Sequence, residues 1–274
     1  MKGKVGVVIL THNRLSLLKV TLCKVLAQTY KPAEILVVDN NSDDGTKNFL
    51  ADLNDVTKLL LNDNSGPAGG FYEGIKYFAE NTDVDYVWLM DDDFFPFPSC
   101  LQILLDNTHN EKVVYPYVRE KNLATRLKPG WWGVLVPLHV VKKVGYPKRE
   151  LFFWAEDSEY LQTRMHKFNF SSEWIPSAKG VHFTARTTNH RKPWKYYYEV
   201  RNMLYMRLYE KEPTIRRYKK MLRSWFYLLG AILFKDDDKL KKLKFFILGT
   251  YHGVSRKLGK RIEPGTGKRL KIIN

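Results

Sequence analysis

The sequence predicts an α/β domain built on a mostly parallel sheet, followed by a basic helical region. Three observations support this prediction. Short apolar runs alternate with amphipathic segments through the first hundred residues, polar clusters follow those runs, and basic residues are concentrated in the last third of the chain. With 274 residues, of which 44% are hydrophobic, the chain is long enough to bury a large core.

The order of elements follows from the spacing of apolar positions. Continuous apolar runs indicate buried strands, and the segments between them indicate helices. The expected strands are 5–10, 34–38, 58–61 and 86–90, and the expected helices are 15–27, 45–53 and one that follows the glycine-rich run 65–70 and ends near 78. The pattern is less regular beyond residue 100, where we expect a strand at 134–137, a helix opened by 154–160 and a return strand that ends at 181–182. This alternation is typical of a parallel sheet covered by helices on both faces.

Polar clusters follow the expected strands at 11–14, 39–42, 64–70 and 91–93. The carboxyl ends of parallel strands meet at one edge of the sheet, and open sheets of this kind bind ligands in the crevice beyond that edge. We therefore expect one crevice to collect these polar groups. No Gly-x-Gly-x-x-Gly or Walker pattern follows the first strand, which argues against a dinucleotide dehydrogenase and an NTPase.

Three consecutive carboxylates, Asp91, Asp92 and Asp93, stand where a buried strand reaches the surface. Adjacent carboxylates repel one another, and a hard divalent cation such as Mg²⁺ or Mn²⁺ would neutralise them while leaving coordination positions for a substrate's phosphates. The alternative interpretation is a solvated acidic turn.

The net charge of +16 is unevenly distributed. Residues 183–274 contain 24 lysines and arginines and 7 acidic residues, whereas the preceding part is close to neutral. This asymmetry points to an anionic partner for the last third, either nucleic acid or the inner leaflet of a membrane. The apolar segment 225–234 is too short to span a bilayer, and 239–261 mixes apolar and basic residues, so an interfacial amphipathic helix fits better.

The cysteine pattern predicts a reducing, cytoplasmic setting. Cys23 and Cys100 are the only cysteines, and each lies in an apolar stretch, so neither a disulfide framework nor a cysteine-ligated zinc site is expected. The start of the sequence leads directly into a strand, without the apolar segment and cleavage site of a secretory signal.

Five ordered motifs, at 8–14, 37–42, 64–71, 88–93 and 154–160, resemble those of family 2 glycosyltransferases, which are inverting enzymes with the GT-A fold. The combination of Gly-Pro-Ala-Gly-Gly-Phe with Trp-Leu-Met-Asp-Asp-Asp is similar to that of bacterial galactofuranosyltransferases, and related rhamnosyltransferases are the alternative. The resemblance implies a Rossmann-like GT-A catalytic domain over 1–185. It leaves 186–274 as a basic helical region associated with the membrane or the acceptor.

The resemblance also implies roles for the polar clusters. Asp91, Asp93 and His182 would hold Mn²⁺ or Mg²⁺, although His182 could equally be a hydrogen-bonded residue at a strand end. The residues implied to bind the nucleotide are Thr11, Asn13, Arg14, Asp39, Asn64 and Asp92. The cation would stabilise the negative charge that develops on the departing diphosphate.

The segment Glu156-Asp157-Ser158-Glu159-Tyr160 resembles the part of the family that carries the catalytic base. Inversion requires a group that removes the acceptor's proton, and the resemblance assigns this role to Asp157, with Glu156 and Glu159 orienting the acceptor or bracing the loop. A helix-capping role for Asp157 is the alternative. Residues expected to face the donor or acceptor sugar are Gly69, Gly70, Trp131, Trp132 and Glu156, although tryptophans are more often core residues.

In the tail, Tyr197 and Arg201 belong to Tyr-Tyr and Arg-Asn pairs that resemble those found after many catalytic domains of this family. We expect them to hold the pyrophosphate of a lipid-linked acceptor or to contact the membrane.

The resulting hypothesis is an enzyme that moves galactofuranose from UDP to a hydroxyl of a polyprenyl-linked cell-surface glycan, on the inner face of the cell membrane. A dTDP-rhamnose-dependent rhamnosyltransferase is the alternative donor assignment, and a homo-oligomer is left open. The alternative of another class is a nucleic-acid-binding module that uses the basic last third, but that class does not explain the carboxylate clusters.

Overall fold

The computed structural model describes residues 3–108, 112–120, 128–183 and 192–270. Its strands are β1 (Val5–Thr11), β2 (Glu34–Asp39), β3 (Thr57–Leu60), β4 (Tyr86–Asp91), β5 (Phe94–Pro96), β6 (Val113–Glu120), β7 (Trp132–Pro137) and β8 (Ser172–His182). Its α-helices are α1 (Leu15–Leu26), α2 (Thr46–Ala51), α3 (Gly66–Asn81), α4 (Cys100–Asn107), α5 (Leu138–Val144), α6 (Glu156–Ser158), α7 (Met165–Lys167), α8 (Pro193–Tyr205), α9 (Ile215–Phe234) and α10 (Lys239–Val254). A 3₁₀ turn covers Arg149–Leu151, and π-helical turns cover Glu159–Arg164 and Met206–Glu210.

Within these residues, one sheet has the strand order β3-β2-β1-β4-β7-β6-β8-β5. The first four strands in this order are mutually parallel, which confirms the expected α/β fold. Thr11 pairs with Asp39 across β1 and β2, and Leu10 pairs with Asp91 across β1 and β4. The predicted polar clusters therefore lie along one edge of the sheet.

The other half of the sheet is mixed. Strand β7 runs antiparallel to both β4 and β6, while β6 and β8 are parallel, with Glu120 opposite His182. Strand β5 returns antiparallel to the end of β8 and pairs Phe94 with His182. This short return brings the end of β8 beside the aspartate turn, although 91–93 and 182 are far apart in the sequence.

Alternate residues of the central strands point into two core layers. Val8 and Val38 face α3, whereas Val7 and Ile9 face the layer that contains Leu18 of α1. Helix α3 packs closely on β1 because it presents glycines there. A Cβ on Gly70 would lie 2.2 Å from Cδ1 of Leu10, and one on Gly74 would lie 2.6 Å from Cγ1 of Val8.

The last three helices pack on one another and on the sheet domain. Tyr196 and Val200 of α8 share a buried cluster with Leu228 of α9 and Phe246 of α10. Three connections join this region to the preceding one: Lys148 forms an ion pair with Glu210, Nζ of Lys260 lies 3.1 Å from Oδ1 of Asp63, and the Gly259 amide donates to the carbonyl of Glu150 at 2.7 Å. In the part of the chain that the structure describes, none of the helices has the length and apolar character needed to cross a membrane. The expected boundary at 185/186 lies outside the described residues.

The main local difference from the sequence prediction concerns the glycine-rich run. We expected 65–70 to precede its helix, but α3 begins at Gly66, so these glycines form its first turns. The Ala68 amide donates to the carbonyl of Phe152 at 3.2 Å. That helix terminus is therefore partly satisfied by another loop of the protein.

Candidate active site

The turn after β4 is held by its middle aspartate. Asp92 is buried, and its carboxylate accepts hydrogen bonds from Oγ1 of Thr11 at 2.7 Å and from Nη1 of Arg14 at 3.1 Å. Oγ1 of Thr21 donates to the backbone carbonyl of Asp92 at 2.6 Å. Burial raises the pKa of Asp92 to about 6, against the opposing effect of Arg14. Thr11 and Asp92 thus brace the turn, which corrects their expected direct contact with the nucleotide.

Asp93 faces a histidine that comes from the other end of the sheet. Its Oδ1 lies 3.3 Å from Nε2 of His182, and its Oδ2 lies 2.8 Å from Nη1 of Arg14. Nδ1 of His182 lies 2.9 Å from Oε1 of Glu120, so the imidazole bridges two carboxylates. Burial acts to raise the pKa of Asp93, but the hydrogen bond and charge of His182, together with Arg14, outweigh it and lower the pKa.

Asp91 and Glu156 share a buried carboxylate pocket. Burial raises the pKa of Asp91 well above its usual value, and the charges of Asp93, Asp92 and Glu156 add to this effect, while Arg14 opposes it. Burial likewise raises the pKa of Glu156 to about 8, and the charge of Asp157 adds to it. Acids from the β4 turn and from α6 therefore sense each other electrostatically, as we expected for two stretches that meet in one crevice.

Trp131 forms the apolar wall of this pocket. It is buried, stacks on Phe71 with ring centroids 4.1 Å apart, and lies near Tyr160. Because its faces are covered, it does not offer a stacking platform for a sugar, which corrects that expectation. The indole lowers the pKa of Glu156, although among the described residues neither Nε1 of Trp131 nor Oε2 of Glu156 has a hydrogen-bond partner of standard geometry. Trp132 is half-buried beside His182, with ring centroids 5.5 Å apart.

The loop that precedes α6 has an unusual backbone. Phe152, Trp154 and Ala155 all have positive φ angles, of 60°, 78° and 71°, a conformation that non-glycine residues adopt only when their surroundings impose it. Gly66 also has a positive φ, of 69°, and a Cβ on it would lie 2.1 Å from the carbonyl oxygen of Phe152. Glycine at position 66 therefore allows the loop to approach α3.

This loop, residues 152–155, positions the proposed base. Asp157 is half-buried in the first turn of α6, and its Oδ1 accepts a hydrogen bond from the Ser158 amide at 2.5 Å. Glu159 is buried and pairs with Arg164, with Oε2 2.8 Å from Nη2. Glu159 thus braces the helix from within, which is one of the two roles that we expected for it.

A second polar pocket lies at the end of β2. Asp39 is fully buried, and its Oδ1 accepts from the amide and hydroxyl of Ser42 at 3.1 Å and 2.5 Å. Its Oδ2 is buried without a hydrogen-bond partner among the described residues, so this oxygen remains able to accept from a ligand. The amide of Asn13 donates to Oγ of Ser42, and Oδ1 of Asn13 accepts from the Asp43 amide, so Asn13 fixes the rim of the pocket.

Asn64 connects this pocket to α3. Its Oδ1 accepts from the Gly66 amide at 2.9 Å, and its Nδ2 lies 3.0 Å from Nε2 of His12. Gly69 and Gly70 are buried within α3, where Gly70 permits the contact with Leu10. Packing alone accounts for these two glycines, and their expected contact with a sugar stays a prediction.

Tyr197 and Arg201 occupy a different place from the one expected. Arg201 has no exposed surface, and its guanidinium donates to the carbonyls of Gly259 at 2.6 Å and Leu151 at 2.7 Å. Tyr197 is also buried, with its hydroxyl 2.7 Å from Nδ1 of His252. Neither side chain reaches a surface that could meet a membrane or a lipid pyrophosphate, so this expectation is wrong.

The donor set near Asp93 suits a divalent cation in part. Among the described residues, no group of three or more His, Cys, Asp or Glu side chains is assembled as a metal site. However, Oδ1 of Asp93 is buried without a hydrogen bond of standard geometry, and the neighbouring Asp91 is strongly repelled by other carboxylates. Two carboxylates and one imidazole form a donor set that Mn²⁺ and Mg²⁺ accept.

Two functional residues escaped the sequence analysis, and a third was identified without its role. Glu120 gave no local signal, because its partner His182 follows 62 residues later. Phe152 was not singled out, because its contact with α3 depends on the backbone. Asn202 was noted only as part of the Arg-Asn pair, but its Nδ2 donates to the carbonyls of Leu151, Phe153 and Trp154 and so supports the loop before α6.

Comparisons with characterised proteins agree with this geometry. The chain is 36% identical over 115 residues to galactofuranosyltransferase GlfT1 of Mycolicibacterium smegmatis, a match that covers 40% of this chain and 38% of that protein. It is 34% identical over 95 residues to a GalNAc(5)-diNAcBac-PP-undecaprenol beta-1,3-glucosyltransferase of Campylobacter jejuni, covering 33% of this chain and 29% of that protein. It is 31% identical over 109 residues to a glucosyl-dolichyl phosphate glucuronosyltransferase of Haloferax volcanii, covering 39% and 34%. The chain thus matches well under half the length of each of these relatives.

Solved structures share the fold. S. aureus TarS superimposes with a TM-score of 0.64 at 16% identity, covering 92% of this chain and 49% of that one. Residues 1–349 of TarS in complex with UDP superimpose with a TM-score of 0.60 at 15% identity, covering 99% and 97%. The family model described as Glycosyl transferase family 2 matches residues 6–174, more than half of the chain. With its parallel half-sheet and its carboxylate pocket at the strand ends, the chain belongs to glycosyltransferase family 2.

Proposed function

We propose that this glycosyltransferase inverts the anomeric centre and transfers a sugar from UDP to a hydroxyl of a polyprenyl-linked glycan, with galactofuranose as the first expectation. One relative is named a galactofuranosyltransferase, and the names of the other two contain PP-undecaprenol and dolichyl phosphate. The UDP complex of a protein with this fold supports a UDP donor. A dTDP-rhamnose donor remains the alternative.

One observation carries the proposal: carboxylates from two distant segments meet in one buried pocket. The charge of Glu156 raises the pKa of Asp91, so the end of β4 and the start of α6 face the same space. A transferase of this type needs a group that compensates the departing diphosphate on one side and a base for the incoming hydroxyl on the other. The two ends of this pocket match these needs.

Asp157 suits the role of the base better than its neighbour does. It is half-buried and so is reachable by an acceptor, whereas Glu156 is buried with a pKa raised to about 8 and is mainly protonated at pH 7. The Ser158 amide fixes Oδ1 of Asp157. In the proposed step, the Asp157 carboxylate takes the proton of the acceptor hydroxyl as that oxygen attacks the anomeric carbon from the face opposite UDP.

The nucleotide would lie toward β1 and β2. Oδ2 of Asp39 is an unpartnered buried acceptor among the described residues and suits a uracil N–H or a ribose hydroxyl. Arg14, whose side chain is half exposed, stands between this pocket and Asp93 and can approach a phosphate. Asp91, Asp93 and His182 would hold Mn²⁺ or Mg²⁺, which would stabilise the charge on the departing diphosphate. Glu120 would then orient the imidazole of His182.

Helix α9 supports a location at an anionic membrane surface. Ile215, Leu222 and Phe226 lie on one stripe of this helix and are 76%, 51% and 61% exposed. Arg216 and Arg223 flank the stripe on the same exposed side. An exposed apolar stripe beside a basic one is typical of helices that lie in the membrane interface.

The test is binding and turnover by Asp157→Asn. UDP affinity is measured calorimetrically with and without Mn²⁺, and turnover is followed as UDP release with synthetic polyprenyl-diphosphate glycans and a panel of UDP- and dTDP-sugars. We expect the variant to retain UDP binding and to lose at least about a thousandfold in kcat, because no other accessible carboxylate replaces the base. Asp52→Asn, at the exposed end of α2, is the control. Normal turnover by Asp157→Asn, or no binding of UDP by the wild-type protein, would contradict the proposal.

A further inference from the structure

A cleft of about 460 Å³ opens directly beside the loop that carries the proposed base. We call it the α8–α9 cleft, and its lining includes Trp154, Ser158, Arg207, Lys211, Arg223 and Tyr227. Ser158 belongs both to this lining and to the hydrogen bond that fixes Asp157. A ligand in the cleft would therefore lie within one residue of the proposed base, although none of the sequence motifs pointed to this place.

The cleft is strongly cationic. Among the described residues, Arg207, Lys211 and Arg223 form no ion pair with a carboxylate, and Glu199 is the one acidic residue in the lining. Burial lowers the pKa of Lys211, and the charges of Arg207, Lys128, Arg217 and Lys220 lower it further. A group of cations that repel one another without a compensating carboxylate indicates a site for an anion that the protein itself does not provide.

The position of one cation is fixed in advance. Nη1 of Arg207 donates to the carbonyl of Lys220 at 2.6 Å and to Oγ of Ser224 at 2.9 Å. These bonds tie the guanidinium to α9 and reduce the entropy that it would lose on binding a ligand. An arginine held in this way suits a phosphate group, which accepts hydrogen bonds from several guanidinium nitrogens.

The remainder of the lining is apolar. Met203, Met206, Tyr227 and Leu228 border the cleft together with Trp154. Tyr227 is 70% exposed, so the apolar wall continues from the cleft onto the outer surface of α9. A free nucleotide or inorganic phosphate would leave this wall without a partner, whereas an amphiphile with a phosphate head and a hydrocarbon chain would contact both kinds of surface.

We propose that the α8–α9 cleft binds the diphosphate head and the first isoprenoid units of the lipid-linked acceptor. This inference rests on the proposed function and specifies how its acceptor is held. The head would contact Arg207, Lys211 and Arg223, and the chain would leave across Tyr227 toward the apolar stripe of α9. The glycan attached to the diphosphate would then extend past Trp154 to Asp157. The cleft thus replaces buried Tyr197 and Arg201 as the site for the acceptor's pyrophosphate.

The test uses farnesyl diphosphate as the probe and the full chain saturated with UDP and Mn²⁺, so that the donor site is already filled. Binding is measured by titration calorimetry below the probe's critical micelle concentration. We expect Lys211→Gln and Arg223→Gln each to weaken binding about tenfold or more, since a charge-assisted hydrogen bond contributes about 1.5 to 3 kcal/mol. Lys244→Gln, which removes the same charge from an exposed position of α10, is the matched control and should bind as the wild type does.

Two further probes separate the parts of the proposal. Farnesol should bind much more weakly than farnesyl diphosphate, and inorganic pyrophosphate should compete only at much higher concentration. Equal binding of farnesol would overturn the phosphate site, equal competition by pyrophosphate would overturn the isoprenoid contact, and unchanged affinity in both glutamine variants would overturn the assignment to this cleft. UDP binding, measured separately on each variant, reports on the proposed function: its loss in the wild type would refute that function, whereas intact UDP binding with unchanged probe affinity would refute the cleft alone.

Discussion

Nδ2 of Asn202 donates a hydrogen bond to the carbonyl oxygen of Trp154 at 2.7 Å, two residues before Glu156. The same amide donates to the carbonyls of Leu151 and Phe153, both at 2.9 Å. Helix α8 thereby holds a loop in which Phe152, Trp154 and Ala155 have left-handed backbone angles. The C-terminal region is thus part of the machinery that positions the proposed base, in addition to any role at a membrane.

Asn202→Asp should lower kcat about ten- to a hundredfold and leave UDP affinity unchanged. The variant keeps the shape of the side chain but replaces the donor with a charge that faces three carbonyl oxygens, so the loop should lose its conformation and Asp157 its position. Turnover and UDP calorimetry are measured on the same preparation. Asn107→Asp, which removes a similar donation to the carbonyl of Ile103 at the end of α4, is the control. A variant that loses both activities equally would indicate general unfolding instead.

The pair formed by Asp93 and His182 leads to a prediction about the metal. If both hold a cation, His182→Asn should weaken UDP binding in the presence of Mn²⁺ by about tenfold or more, while UDP binding without metal should change little. Glu120→Gln should have a smaller effect in the same direction, because it acts only through the orientation of His182. His139→Asn, on α5, is the control. Equal affinity with and without Mn²⁺ in the wild-type protein would show that this enzyme does not use the cation.

The sequence predicted the parallel half of the fold well and the mixed half poorly. Runs such as 5–10 and 86–90 are apolar throughout and are joined by helices, so local pattern determines both their type and their direction. Strands β5 and β6 were not anticipated, because their pairing with β8 depends on contacts between residues more than 50 positions apart. The same long range explains why the role of Glu120 beside His182 was not anticipated.

Burial explains the errors at individual site residues. Trp131 has the composition of a sugar platform, but stacking on Phe71 covers its face. Arg201 lies in a basic aromatic stretch that suggested a surface, whereas backbone carbonyls from two distant loops surround it in the core. Residue type indicates which groups can bind a ligand, but which of them remain accessible depends on tertiary packing. The α8–α9 cleft was missed for the same reason.

The exposed stripe of α9 leads to a prediction about membrane binding. Leu222→Ser combined with Phe226→Ser should reduce flotation with vesicles that contain about one third anionic lipid, because each apolar side chain contributes about 1 to 2 kcal/mol when it leaves water. Phe168→Ser, which alters an apolar residue that is 49% exposed after α7, is the control. Flotation should also fall with added salt. Sequence-selective retention of nucleic acid at physiological salt, with no flotation of the wild type, would favour the nucleic-acid-binding alternative.

Glu156 leads to a prediction about stability and pH in the protein without nucleotide or metal. Its pKa is raised from 4.5 to about 8, first by burial and then by the charge of Asp157. A carboxyl with a raised folded-state pKa stabilises the fold fully below the unfolded pKa, and that contribution is lost as the pH rises from about 4.5 through about 8. Glu156→Gln imitates the protonated form, so its free energy of unfolding should match that of the wild type near pH 5 and exceed it by about 2 to 4 kcal/mol at pH 9, at about 1.4 kcal/mol per pKa unit. Urea titrations at pH 5, 7 and 9 measure this difference, with Glu212→Gln as an exposed control. Parallel profiles for the wild type and Glu156→Gln would show that Glu156 is ionised without cost, and the argument that leaves Asp157 as the only available base would then fail.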